Sequence, residues 1–339
     1  MQRHGARWAA LLGTLGAALI LVGSLSFRSW GPRLGLILPG HRAPGHDGPP
    51  LAGLPPSTAP EGDGDSDPTD PFCGIPGTPE PDLSGPVSAG GLPWAGNEPP
   101  ALSRLRQELG ADRLVAAYRT VLPHPLPGEE ANVRHAANLL AGAVVGPGEA
   151  FSQNHRLGPY SRDRGYREGP AYAGGRVLVT VGGGVCKIAS TLYNVVVLAQ
   201  LRVLERHAHS MLVPYVPPGQ DATVSYGSKD FRFQNSSPGP VVIWAESVDH
   251  TLTIALYGSY TPPAIRWHHE IAGRTEPPVI RQFNAQLPPG QERVAFEGAP
   301  GLVVHSWITV GTGTSARTGD LGWSTYRPMP KVIEFGPDR

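Results

Sequence analysis

A cysteine stands between a run of glycines and an apolar segment in Val181-Gly182-Gly183-Gly184-Val185-Cys186-Lys187-Ile188. His209 follows 23 residues later, and Asp221 a further 12 residues on. These residue types in this order suit a nucleophile, a base and a carboxylate that orients the base. A cysteine in the first turn of a helix has its thiolate stabilised. No Ser, Thr, Asp or Asn precedes the helix start, so its first N–H groups lack a side-chain cap and could face an oxyanion. Gly183 and Gly184 allow close approach of a ligand to the backbone. A plainer reading also fits the stretch: a tight turn carrying a small buried cysteine, since free Cys is often simply core.

The elements that must position these groups follow from patterning. Ile188, Leu192, Val195 and Ala199 line one face of a helix expected over Ile188–Leu201, and Val196, Val197 and Leu198 make it apolar nearly all round. Lys187, Ser190, Thr191 and Asn194 form its one polar stripe. In a helix so apolar, that stripe needs hydrogen-bond partners or a wet cleft. Lys187, Ser190 and Asn194, with Gly183 and Gly184, are therefore candidate substrate contacts. Arg206–Tyr215 is expected as a strand carrying His207 and His209 on one face, and either could be the base. His207 is kept as a further candidate contact. Asp221 opens the next expected strand, Gln220–Tyr226, and Val241–Glu246 with Thr251–Tyr257 reads as a hairpin around Asp249-His250. A buried helix packed on a small antiparallel sheet, followed by a small all-β module, gives an α+β expectation.

Composition bounds the rest. Lys+Arg and Asp+Glu both number 28 in 339 residues, so no cationic excess exists to neutralise a nucleic acid. Two cysteines are too few for a disulfide framework. Trp8–Phe27 is a charge-free stretch long enough to cross a bilayer, preceded by Arg3, His4 and Arg7. This predicts a single-pass signal-anchor over 1–28, with the bulk of the chain on the outer side of the cell membrane. Residues 29–100 are rich in Pro, Gly, Asp and Ser and are expected as an extended tether. Cys73 lies in that tether and could pair with Cys186, which would silence the thiol. Ala101–Val121 is expected as an amphipathic helix or helix pair broken near Gly110, and Glu129–Val145 as a second helix. The folded region is expected as 101–260 followed by an all-β module over 261–339, with short strands at Val279–Phe283, Glu292–Phe296, Leu302–Thr309 and Leu321–Tyr326.

Five ordered blocks between Asn132 and Tyr257 resemble the VanW family. They are the helix NVRHAANLLAG from Asn132, the stretch Gly146-Pro147-Gly148-Glu149-Ala150-Phe151-Ser152-Gln153-Asn154, GGGVCKIASTLYN, Glu205-Arg206-His207-Ala208-His209-Ser210, and Val216-Pro217-Pro218-Gly219-Gln220-Asp221-Ala222-Thr223-Val224. The family usually has Gln where this chain has Lys187. The segment from Glu270 to Arg339 is similar to a small β module named for its five glycines, through Val294-Ala295-Phe296-Glu297-Gly298, Gly301 and the Tyr326-Arg327-Pro328 to Phe335-Gly336 ending. The resemblance implies a bacterial envelope protein, and peptidoglycan or its stem peptides are the expected partner.

Three chemistries fit. A cysteine enzyme, in the order seen in transglutaminase-like and papain-like sites, would use Cys186, His209 and Asp221 as amide hydrolase or transpeptidase, with no cofactor and no metal. A non-catalytic module would bind or scaffold peptidoglycan in cell-wall or glycopeptide-resistance functions. A zinc site could draw on His207, His209, Cys186 and Asp221, although no CxxC or HExxH spacing supports it.

Overall fold

A computed structural model describes residues 83–121, 125, 128–173 and 176–338. The expected signal-anchor, most of the expected tether and Cys73 lie outside these residues. Among the described residues, no helix is long and apolar enough to cross a membrane.

The chain opens with β1 (Gly85–Pro86), α1 (Pro100–Leu109), β2 (Arg113–Val121), α2 (Glu129–Leu140) and β3 (Ala143–Val145). It continues through β4 (Ala150–Ser152), α3 (Gln153–Leu157), β5 (Glu168–Ala173), β6 (Arg176–Val181) and α4 (Cys186–Leu198). Short strands β7 (Arg202–Glu205) and β8 (Arg232–Gln234) precede the hairpin of β9 (Val241–Val248) and β10 (Thr251–Gly258). The C-terminal part is all strand: β11 (Ile265–Thr275), β12 (Val279–Phe283), β13 (Glu292–Phe296), β14 (Gly301–Val310), β15 (Arg317–Tyr326) and β16 (Lys331–Phe335).

The central sheet has the order β1-β2-β10-β9-β3, antiparallel throughout. Its two faces follow from strand alternation. Leu252, Ile254 and Leu256 of β10, with Val241, Ile243 and Ala245 of β9, face the large core that contains α2 and α4. Ala255, Tyr257 and Val242 face the opposite side, where Leu92, Trp94 and Leu102 of α1 cover them. Trp94, 3 % exposed, donates its indole N–H to Tyr257 Oη at 2.7 Å. The last residues of the Pro/Gly-rich stretch thus belong to the core.

The α+β expectation is corrected. The described residues are mostly β, with sixteen strands in five sheets and four helices, of which α4 is the longest at 13 residues. No single helix centres the fold: α2 and α4 share one face of a five-stranded sheet. Helical periodicity reports that α4 is buried and says nothing of the strands around it. Several of those strands are three or four residues long, too short to leave a two-residue period. Ala101–Val121 divides too. Pro100 starts α1 at a position where its missing N–H costs nothing, and Gly110 ends it in the left-handed conformation (φ 61°). The following Leu-Val-Ala-Ala-Tyr run then pairs with β10 as a buried strand. The second expected helix stops at Leu140, and Ala143–Val145 pairs with β9.

In the C-terminal part, β11-β14-β15 form one antiparallel sheet and β12-β16-β13 another, with β12 parallel to β16. The first sheet packs on α4: Trp267 meets Tyr193 edge-on at 5.6 Å, and Ile308 and Val310 join the large core.

Candidate functional site

α4 begins at Cys186 without a side-chain cap. The glycine loop before it has a defined shape. Gly184 has φ +99°, and a Cβ there would lie 2.8 Å from Glu129 Cγ. A Cβ on Gly183 would lie 2.1 Å from the backbone of Gly169, where β5 crosses the loop. Asn132 on α2 locks this crossing: its amide donates to Gly183 O and Arg167 O, both at 2.8 Å, and its oxygen accepts from Arg167 N at 2.7 Å. The loop amides of Val185 and Lys187 are spent on Gly182 O and Gly184 O. Among the described residues, no hydrogen bond takes up those of Gly184 and Cys186.

Cys186 lines a cleft of about 570 Å³, together with Gly183, Gly184, His209, Tyr160, Tyr226 and Thr223. Cys186 is partly exposed. Thr223 Oγ1 sits 3.3 Å from Sγ, and Val224 N–H points to it at 3.4 Å. Burial pushes the thiol up, but the His209 ring, by hydrogen bonding and by charge, and then Thr223 and Val224 outweigh it and hold the thiol below its usual range.

His209 is buried and donates Nδ1–H to Asp221 Oδ2 at 2.7 Å. The same oxygen accepts the His209 backbone N–H at 2.6 Å. Burial opposes charge on the ring, yet Asp221 and Cys186 together raise its pKa from 6.5 to about 9. Asp221 Oδ1 is held by Tyr326 Oη at 2.5 Å and by Arg206 Nη2 at 3.1 Å. Burial would raise the Asp221 carboxyl, but His209 and Arg206 bring it down to about 2. The other imidazole nitrogen, Nε2, is buried without an aligned hydrogen bond in this resting geometry.

The structure therefore brings Cys186, Gly183, Gly184 and His209 to one cleft, with Asp221 behind the imidazole. The remaining predicted contacts lie elsewhere. Ser190 Oγ donates to Ala222 O at 3.0 Å and accepts from Ala222 N at 2.9 Å; Asn194 donates to Ser190 O and Gln220 O. These two are buried and tie the Asp221 segment to α4, so they do not line the cleft. Lys187 points away, donating to His250 O at 3.1 Å, and burial lowers its amine to about 8 against the pull of Glu129 and Glu130. His207 is paired with Glu205 at 3.0 Å and is not a cleft residue. No group of three His, Cys, Asp or Glu is placed to hold a metal ion among the described residues.

Sequence reasoning passed over Asn132, Thr223, Arg206 and Tyr326 as site residues. A polar Asn132 on the apolar side of α2 was a signal for the first. Arg206 and Tyr326 show no local signal, because their partners are 15 and 105 residues away.

Residues 128–257 match the family described as VanW like protein. The uncharacterized protein YoaR of Bacillus subtilis (strain 168) is 43 % identical over 128 residues, which is 38 % of this chain and 42 % of that protein. The Vancomycin B-type resistance protein VanW of Enterococcus faecalis (strain ATCC 700802 / V583) is 27 % identical over 140 residues, or 40 % of this chain and 50 % of that protein. The chain thus spans about half the length of the curated relatives it matches. Among solved structures, the IgA1 protease G5 domain aligns over 24 % of this chain and 100 % of its own, at 24 % identity and a TM-score of 0.16. The glycine loop, Cys186, His209 and Asp221 all lie in the segment that matches the VanW-like family.

Proposed function

We propose that this chain is a cell-wall-associated protein of the bacterial envelope whose VanW-like cleft breaks an amide bond by cysteine nucleophilic catalysis. The observation that carries this reading is the Asp221–His209 pair beside Cys186. Asp221 fixes the imidazole through Nδ1 and leaves Nε2 as its only free nitrogen, and His209 shares the cleft with a sulfur whose thiol is held down.

The Cys186 thiolate attacks the amide carbonyl, forming a C–S bond and an oxyanion near the free amides of Gly184 and Cys186. The protonated His209 gives its Nε2 proton to the departing nitrogen as the C–N bond breaks, leaving a thioester. Water or a second amine then loses a proton to His209, attacks the thioester and releases the thiolate. Water makes the protein an amide hydrolase, and an amine makes it a transpeptidase. Stem peptides of peptidoglycan supply both such amides and such amines. The resemblance to a protein named for vancomycin resistance points to that polymer. The expected anchor at Trp8–Phe27 would hold the cleft at the outer face of the membrane.

One observation favours a non-catalytic reading: Nε2 is buried and meets no hydrogen-bond partner in this geometry. The cleft would then only hold wall polymer. The full chain decides between them. Iodoacetamide labelling of Cys186 well below pH 8, lost in His209→Ala, is expected of the nucleophile. Labelling only above about pH 8.5, indifferent to His209, refutes it. Wall fragments incubated with wild type and with Cys186→Ala then show whether peptide bonds are cut or exchanged.

A further inference from the structure

The Asp221 segment is fastened from two directions. From one side Ser190 and Asn194 of α4 hold the backbone of residues 220–222. From the other side comes the C-terminal sheet. Tyr326, at the end of β15 and 3 % exposed, donates its phenol proton to Asp221 Oδ1 and accepts the Gly219 N–H at 2.6 Å. Arg206 spans from Asp221 to Ser324 Oγ at 2.9 Å. Gln220 Nε2 bonds His269 Nε2 at 3.0 Å, and His269 Nδ1 meets Ser306 Oγ at 3.1 Å. A Cβ on Gly219, whose φ is +88°, would lie 2.1 Å from that Ser306 oxygen, so sheet and turn touch without a gap.

We infer that Tyr326 is a positioning residue of the cysteine site, so that the C-terminal sheet completes a site whose reacting groups lie in the VanW-like domain. The inference rests on the reading of Cys186 as nucleophile. A carboxylate tied only through Oδ2 can rotate and release its histidine. Oδ1 has two tethers, and the phenol contact, at 2.5 Å, is the shorter. Burial and the neighbouring carboxylate hold the Tyr326 hydroxyl well above its ordinary pKa, so it remains a donor throughout the working range. The matched family segment ends at residue 257, before this residue is reached. The VanW-like domain alone therefore lacks one tether of its own carboxylate.

The test follows the pH dependence of Cys186 alkylation in the full chain, comparing wild type, Tyr326→Phe, Ser324→Ala and Tyr260→Phe. Tyr260 is the matched control. Its hydroxyl, just past the end of the matched segment, donates to Ala199 O 2.8 Å away and makes no bond to the Asp221 network. Tyr326→Phe is expected to raise the alkylation midpoint by about 0.5–1 pH unit, or roughly 3- to 10-fold slower labelling below the midpoint. Ser324→Ala, which removes only an acceptor of Arg206, should move it the same way by less. Tyr260→Phe should lower the melting temperature without moving the midpoint. Should Tyr326→Phe not fold, Ser324→Ala decides. A midpoint unmoved in the folded Tyr326 and Ser324 variants overturns the positioning role while the nucleophile stands. A wild-type midpoint near that of a free thiol, indifferent to His209, overturns the nucleophile and the inference with it.

Discussion

Asp221→Asn is the substitution whose cost can be worked most fully from the structure. The carboxylate accepts four hydrogen bonds: the backbone and ring N–H of His209, one Arg206 N–H and the Tyr326 hydroxyl. An amide of the same shape offers one acceptor oxygen and turns an N–H group toward donors. Asp221 is 1 % exposed, so solvent does not screen the change. Its carboxyl falls from 3.8 to about 2 on folding, and that depression alone represents about 2 kcal/mol at neutral pH. Because the folded value is depressed, this stability is fully present above pH 3.8 and is lost as pH falls through about 2. Leaving Arg206 buried beside an uncharged partner adds to it, and breaking one side of a buried pair costs ~3–5 kcal/mol in all. Urea unfolding of the full chain at pH 7 should show a loss of that size. The gap to wild type should narrow by about 2 kcal/mol between pH 5 and pH 2. A loss under 1 kcal/mol at pH 7, or a gap that stays constant into acid, would refute the reasoning that an ionised Asp221 organises this network.

Two further substitutions probe the elements around the cleft. Gly183→Ala places a methyl 2.1 Å from the Gly169 backbone, so β5 and the glycine loop must part. Thermal unfolding should report a loss on the order of 3 kcal/mol or more, with Cys186 alkylation altered in the folded fraction. Trp94→Ala empties a buried site and strands the Tyr257 hydroxyl, so urea unfolding should lose ~3–5 kcal/mol; a near-neutral result would mean that the segment before α1 is not part of the core.

The β9–β10 hairpin was legible because two runs rich in apolar and β-branched residues flank a turn at Asp249-His250, where both residues take positive φ. Strands β12 and β13 were legible as short runs set off by Gly and Pro. The burial of α4 was legible from its composition. Other elements were hidden because their determinants are distant. β2 looked helical, since Leu114 and Val115 continue the spacing of α1. Pairing along its whole length with β10, some 130 residues later, makes it a strand. Among the described residues β5 and β6 form a sheet only with each other, and Tyr160–Gly169 read as exposed loop. At the site, Cys186, His209 and Asp221 stood out by residue type and order. The choice of His209 over His207 depended on which ring faces Asp221, and a strand with both histidines on one side could not supply it.

The segment that carries His209 explains why that choice was invisible. Residues 206–224 were expected to contain two strands, yet no helix or strand forms there, and none of these residues is exposed. A buried segment without regular structure must satisfy its backbone through side chains or isolated contacts. Here Arg206 takes Gly219 O and Asp221 O, Asn194 takes Gln220 O, Ser190 takes both polar groups of Ala222, and Tyr326 takes Gly219 N. The polar stripe of α4, which alone suggested contacts to a ligand, is used to hold this segment instead. His209 and Asp221 gain from the arrangement what a strand would not give: His209 presents both its backbone and its ring N–H to one carboxylate oxygen. The imidazole is thereby fixed at two points of one residue, and its remaining nitrogen can be aimed only by moving the whole segment. Substitutions at Ser190, Asn194, Arg206 or Tyr326 therefore act on the site through its geometry, while Cys186 and His209 are the groups a substrate in the cleft would meet.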